Sequence, residues 1–194
     1  MIYGILLAAG SSTRFGHNKL MQPLPDGRSV FAASLDNLRL SVPQTLVIVA
    51  ASNPDLQAEL TPRANTEFVV CRDAHLGVGH SLACGVRASA GASGWLIALA
   101  DMPFVRPATV TAVVAALNTG ASIAVPVHDG RRGHPVGFAR RWGEHLLQCH
   151  GDHGAAWILS THREQVIELP CMDPGVCRDI DTPDDLAAPP PFRP

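Results

Sequence analysis

The stretch that most constrains this chain is its start, where an apolar run from Ile2 to Leu7 is followed by Ala8-Ala9-Gly10-Ser11-Ser12-Thr13-Arg14-Phe15-Gly16-His17-Asn18-Lys19. The run reads as a first strand. The small residues after it leave the backbone uncovered, so the N–H groups of Ala8, Ala9 and Gly10 can face an anionic ligand at close range. Arg14 supplies a planar fork for phosphate oxygens and Lys19 a mobile point charge. Strand, bare loop and two cations together describe a cradle for a nucleoside triphosphate. Lys19 is the one lysine in the chain, against fourteen arginines. Chance on a solvated face is the plain reading of that bias, and the need for a compact ammonium is the functional one. Inside this loop we favour function.

Two better-known phosphate loops are excluded. A P-loop requires Gly, four residues, then Gly-Lys-Ser/Thr, whereas Gly10 and Gly16 are separated by five residues and Lys19 follows an asparagine. The dinucleotide fingerprint G-x-G-x-x-G is absent from the first strand and loop. Gly77-Val78-Gly79 is not completed by a third glycine, since Leu82 stands there.

Other segments read in order as alternating strands and helices. Apolar residues at Val30, Phe31, Leu35 and Leu38 predict a helix over 29–40. Thr45 to Ala51 is a near-continuous β-branched run, as in a strand buried on both faces. Leu20 to Leu24 reads as extended, and Pro25-Asp26-Gly27 as a turn. Asn53-Pro54 opens a helix over 55–60, and Thr66 to Cys71 is a third strand. Gly77 to Leu82 leads into a helix from about Ser81 to Ala90. Glycines at a helix entrance let backbone donors face a ligand, and Ser81 is either a ligand contact or a helix cap.

Trp95 to Ala100 is another buried strand ending in Asp101-Met102-Pro103. A carboxylate there faces the crevice in which open α/β sheets bind ligands, and it is either a metal ligand or a cap for the helix after Pro107. Helices are expected over 108–117, 140–149 and 151–161, and strands over 122–127 and 166–169. His128 to Gly133 is a polar turn, with His134 to Phe138 extended after it. Thr182, Pro183 and Asp185 have the spacing of N-cap, N1 and N3 in a capping box.

With 194 residues, 46% hydrophobic content and a formal net charge of −2, the chain suits one domain with a sizeable core and carries no electrostatic footprint for nucleic acid. The domain is expected over 1–186, with the proline-rich 187–194 as a frayed tail. The apolar N-terminal run is short and its first positive charge lies after it. No stretch has the length of a membrane helix, so a cytoplasmic protein is expected. Five cysteines without a C-x-x-C pair make a disulfide framework or zinc ribbon unexpected. The grouping of His145, Cys149, His150 and His153 matches no common zinc spacing.

The segment from Leu6 to Lys19 resembles the L-A-A-G-x-S-x-R-x-G-x-x-K signature of nucleotidyltransferases similar to molybdenum cofactor cytidylyltransferase. The resemblance recurs in order along most of the chain. It implies a single-domain, Rossmann-like, doubly wound and mostly parallel α/β fold. It assigns Leu7, Ala8, Ala9, Gly10, Arg14 and Lys19, with Gly77, Gly79 and Ser81 of a G-x-G-x-S-L motif, to the nucleotide. Asp101 of a D-M-P motif and Asp181 become magnesium ligands. Gly133, His134 and Pro135 of R-G-H-P-V-x-F fall on the acceptor side, as does Asp152 of a G-D-x-G-A-R motif in which Ala156 replaces the arginine and removes a cation. Arg14, Lys19 and Asp101 are the candidate catalytic set. The implied reaction moves CMP from CTP to a pterin phosphate, giving a cytosine dinucleotide for a molybdenum hydroxylase, with which transient contact is expected. Guanylyl transfer, a sugar-phosphate acceptor and a non-catalytic pterin carrier are the rivals.

Overall fold

The computed structural model describes residues 1–10, 18–53, 56 and 64–186. Arg14, most of the helix expected over 55–60 and the 187–194 tail lie outside the described residues. Four parallel strands form the body of one sheet: β1 (Ile2–Leu7), β2 (Gln44–Ala50), β3 (Thr66–Cys71) and β4 (Gly94–Leu99), in the order 3-2-1-4. The sheet continues through β7 (Val136–Ala139), antiparallel to β4, to β5 (Ile123–His128), with β8 (Val166–Pro170) parallel to β5 on its other edge. β6 (Arg131–Arg132) pairs with the end of β5 across a tight turn in which Asp129 and Gly130 both have positive φ, as a two-residue hairpin requires. The antiparallel insert is thus a hairpin whose return strand is broken at Gly133-His134-Pro135, where the His134–Pro135 peptide bond is cis.

Alternation along the strands explains why both faces are covered. Leu6, Val47, Val49, Leu96 and Ala124 point into one core with α1 (Val30–Arg39) and α3 (Pro107–Asn118). Ile5, Leu46, Ile48, Trp95, Ile97 and Ile123 point the other way, against α2 (Val78–Ala88), α4 (Gly143–Leu147) and α5 (Ala156–Thr161). This two-sided burial makes the central strands read as continuous apolar runs. Ser29 caps α1 by accepting from the Ala32 N–H at 3.1 Å, and Pro107 starts α3 at a position where its missing N–H costs nothing.

Several expectations need correction. Residues 20–24 do not run straight from the loop: Lys19–Met21 is a turn of 3-10 helix, because the Asn18 side chain accepts from the Leu20 N–H at 3.3 Å. α2 begins at Val78 rather than near Ser81, so Ser81 sits buried inside the helix and caps nothing. The segment 140–161 is two short helices, α4 and α5, joined through a turn at 151–153, where Gly151 and Gly154 have positive φ. His145 does not gather with Cys149, His150 and His153. Its ring packs against Trp142, Trp157 and His162, with centroids 5.1, 5.9 and 5.8 Å away. Among the described residues, no helix is long and apolar enough to cross a membrane.

Candidate active site

The chain leaves β1 toward β2 and β3, then returns to β4 on the opposite side of β1. The point between β1 and β4 is therefore where the winding reverses, and the crevice outside the carboxyl ends of such strands is where ligands bind. Register fixes what meets there. Leu7 pairs with Leu99, so Ala8 and Ala100 emerge side by side; the Ala8 N–H donates to Ile48 O at 2.9 Å and the Ala100 N–H to Leu7 O at 3.1 Å. Ala8 is buried, Ala9 half-buried and Gly10 exposed, with open space around Gly10. The Ala8 N–H is thus taken up within the sheet, and of the three small residues Gly10 is the exposed one.

Asn18 is well anchored. Its amide donates to Asn53 Oδ1 at 3.0 Å, its side-chain oxygen caps the following turn, and Leu20 is buried beneath. Lys19 is thereby aimed at the end of β4. Its Nζ lies 2.8 Å from Asp101 Oδ2 and 3.2 Å from Asp181 Oδ1. Burial by itself would favour the neutral amine. The hydrogen bonds and charge of Asp101, and then those of Asp181, outweigh it and raise the Lys19 pKa above its ordinary value. The lysine and Asp101 are mostly sheltered, with 16% and 22% of their side chains exposed, while Asp181 is half exposed.

Asp181 reaches this place because the C-terminal segment returns across the strand ends: the Ile180 N–H donates to Asp101 O at 2.9 Å. Just beyond, Asp185 accepts from the N–H groups of Asp181 and Thr182 at 3.1 and 2.7 Å. The box expected at Thr182 forms from that side, and the Thr182 hydroxyl donates to Asp185 rather than accepting from the helix. Asp101 is not the cap of α3. That helix starts after Arg106, whose N–H donates to Asp173.

His134 comes close to the same centre. Its N–H donates to Val176 O at 2.9 Å, and the half-buried residue lines a small pocket with Leu99, Met102 and Pro135. Burial pushes its pKa below the ordinary value, opposed by the charge of Asp101. Gly133 is required because a side chain there would run into the Val176 carbonyl.

The glycine pair also has a packing role. A Cβ at Gly79 would lie 2.5 Å from the His150 backbone N, and one at Gly77 would overlap Gly151 and approach the Asp152 carboxylate at 2.6 Å. These glycines let the 150–152 turn close onto the start of α2, where the Gly151 N–H donates to His80 Nδ1 at 3.3 Å. Asp152 is exposed beside Gly77. The structure thus brings together Lys19, Asp101 and Asp181, with His134 nearby, and sets Asp152 against Gly77. Asn18 and Asp173 were missed from sequence; an asparagine directly before a turn is a capping signal that could have revealed the first.

Residues 4–166 match the MobA-like NTP transferase domain. The chain is 33% identical to the purine catabolism protein PucB of Bacillus subtilis, over 95% of this chain and 93% of that protein. It is 28% identical to nicotine blue oxidoreductase of Paenarthrobacter nicotinovorans, over 95% and 94% of the two chains. The crystal structure of Rv0371c from Mycobacterium tuberculosis in complex with manganese superposes with a TM-score of 0.75 at 28% identity, over 95% of each chain. With a reversal-point crevice at the strand ends and a matching domain over residues 4–166, the chain belongs to the MobA-like NTP transferase family and is a nucleotidyltransferase.

Proposed function

We propose that the enzyme transfers CMP from CTP to the phosphate of a molybdopterin acceptor, releasing pyrophosphate. The observation that carries this reading is the Lys19 ammonium held between Asp101 and Asp181 at the reversal point. An anionic oxygen of the acceptor phosphate attacks the α-phosphorus, the bond from that phosphorus to the bridging oxygen breaks, and the electron pair leaves with pyrophosphate. The nucleophile is already ionised, so the reaction needs no protein nucleophile or base. What the protein must supply is in-line positioning and compensation of negative charge.

Lys19 fits that task. When a triphosphate enters, its ammonium can exchange carboxylate oxygens for phosphate oxygens and meet charge as it builds on the leaving group. Arg14 would pair with the α-phosphoryl oxygens. Backbone groups of Leu7 to Gly10 and of Gly77 to Gly79, with Ser81, would hold the nucleotide, and Gly133, His134, Pro135 and Asp152 would face the acceptor.

Asp101 and Asp181 would also hold a magnesium ion. They are hard oxygen donors, and with Lys19 they leave a net charge of −1, which a divalent cation compensates; water and phosphate oxygens would complete its shell. Once bound, such an ion neutralises phosphate charge and polarises the α-phosphoryl group. The manganese complex of Rv0371c supports divalent-metal use in this fold.

Cytosine is proposed because Ala9 carries a methyl group where guanylyl-transferring relatives have glycine, although base-edge hydrogen bonds should decide more than that methyl. CTP and GTP supplied at equal concentration with molybdopterin test this, with dinucleotide and pyrophosphate as readouts. Cytosine dinucleotide should predominate. Equal use, or preference for GTP, would defeat the base assignment; pterin binding without pyrophosphate release would make the protein a carrier. The product would serve a molybdenum hydroxylase.

A further inference from the structure

The segment after β8 is a strap that crosses the strand ends and touches three site residues in turn. The His134 N–H donates to Val176 O, the Ile180 N–H donates to Asp101 O, and Asp181 meets Lys19. Val176 and Ile180 are fully buried, and Gly175 passes so close to the Phe104 carbonyl that a side chain there would overlap it. The strap is therefore placed tightly, and its first fixed point is a carboxylate. Asp173 is only 2% exposed. Its Oδ2 accepts from the Arg106 N–H at 2.9 Å and the Thr109 hydroxyl at 2.6 Å, and its Oδ1 accepts from the Gly175 N–H at 3.1 Å. The Arg106 guanidinium stands 3.9 Å from Oδ1. These contacts join the strap to the first turn of α3, where a negative charge also suits the exposed N–H groups and the helix dipole.

We infer that Asp173 is a positioning residue for the metal-binding carboxylate Asp181, acting along the strap that it fastens to α3. The inference rests on the proposed role of Asp181. The far end of the strap is held separately, by Arg178 over the Phe104 ring (4.7 Å) and its hydrogen bond to Asp185 O at 3.1 Å. Losing Asp173 therefore loosens the near half, and its slack shifts the setting of the Asp181 carboxylate while the Ile180 N–H still holds Asp101 O and keeps Asp181 attached. An amide at 173 would be the sharpest probe. It keeps size and shape, yet its NH₂ would face donors, since the groups around Asp173 all donate.

The test is manganese binding by the full chain in the presence of CTP, followed by the EPR signal of the free ion, with folding checked by circular dichroism. Asp173→Asn should raise the manganese concentration for half-saturation by about tenfold or more, as loss of a group orienting a metal ligand does. Asp181→Asn should raise it too, and the double variant should bind no worse than Asp181→Asn alone. A general loosening of the fold would instead give losses that multiply. Should Asp173→Asn fail to fold, Thr109→Val removes one donor without introducing a clash, and should shift binding in the same direction by less. Wild-type binding in a folded Asp173→Asn, or in Thr109→Val when that is the variant used, would overturn the inference, as would multiplying losses. Wild-type manganese binding by Asp181→Asn would instead defeat the metal role of Asp181, and with it the route through which Asp173 acts.

Discussion

Lys19 is a charged side chain whose surroundings set two tests. Its ammonium is useful to the proposed reaction where charge grows on the leaving pyrophosphate, so Lys19→Ala should lower turnover by about 10²-fold or more while weakening nucleotide binding much less. Pyrophosphate release and equilibrium titration with CTP separate the two. The same contacts make a statement about stability. A folded-state pKa raised above 10.5 means that the ion pairs with Asp101 and Asp181 stabilise the fold fully below the unfolded value, and that this is lost as pH rises through the folded value. The gap in urea midpoint between the wild type and Lys19→Met should therefore be constant near pH 8 and shrink above about pH 10.5. Asp101→Asn is nearly isosteric and keeps the backbone link to Ile180. It should stay folded and lose divalent-cation-dependent turnover, measured as pyrophosphate release over a magnesium titration. Lys19 and Asp101 were legible in the sequence because each follows a recognisable strand. Asp173 was not, since its three neighbouring donors include Arg106 and Thr109, 67 and 64 residues away, and Met-Asp-Pro looks like any other turn.

At the scale of elements, α2 shows how a loop contact can reverse an ordinary helix preference. Alanine normally exceeds glycine inside a helix by about 1 kcal/mol, so Gly79→Ala would stabilise an isolated α2. Here the new methyl would press on the backbone of residue 150, and overpacking against atoms that cannot rotate away costs about 1–3 kcal/mol. Gly79→Ala should therefore lower the denaturation midpoint. Gly91→Ala, which meets nothing within 4 Å, should leave it nearly unchanged. Equal midpoints for the two variants would show that the 150–152 turn yields easily. This contact also marks where sequence reading stopped. The β1, β3 and α1 runs announce themselves by apolar spacing within one element, so their bounds were legible to within a residue. The start of α2 and the short pieces within 140–161 are set by one segment closing on another, which no local periodicity records.

On the scale of the whole molecule, the alternation of apolar runs and helical patterns was enough for the parallel core, because each unit buries its own strand and helix. Placement of the hairpin and of β8 was not, since β7 turns against β4 only through pairing between distant strands. The matched family stretch ends at residue 166, before the strap that supplies Asp181. The strap nevertheless closes the core as well as the site. Val176 and Ile180 are both fully buried against the face that holds α1 and α3, and burying one such side chain is worth about 1.5–3 kcal/mol. Two of them contribute on the order of 3–6 kcal/mol, a large share of the roughly 5–15 kcal/mol that keeps a domain folded. A chain ending at Pro170 keeps all eight strands but loses these residues together with Asp173 and Asp181. It should unfold at a much lower urea concentration than the full chain, or fail to fold. Ile180→Ala in the full chain should cost about 2–5 kcal/mol by itself, measured from the same denaturation curves. If the truncated chain matched the full one in stability, the strap would be a passive carrier of Asp181 and the core would be complete without it.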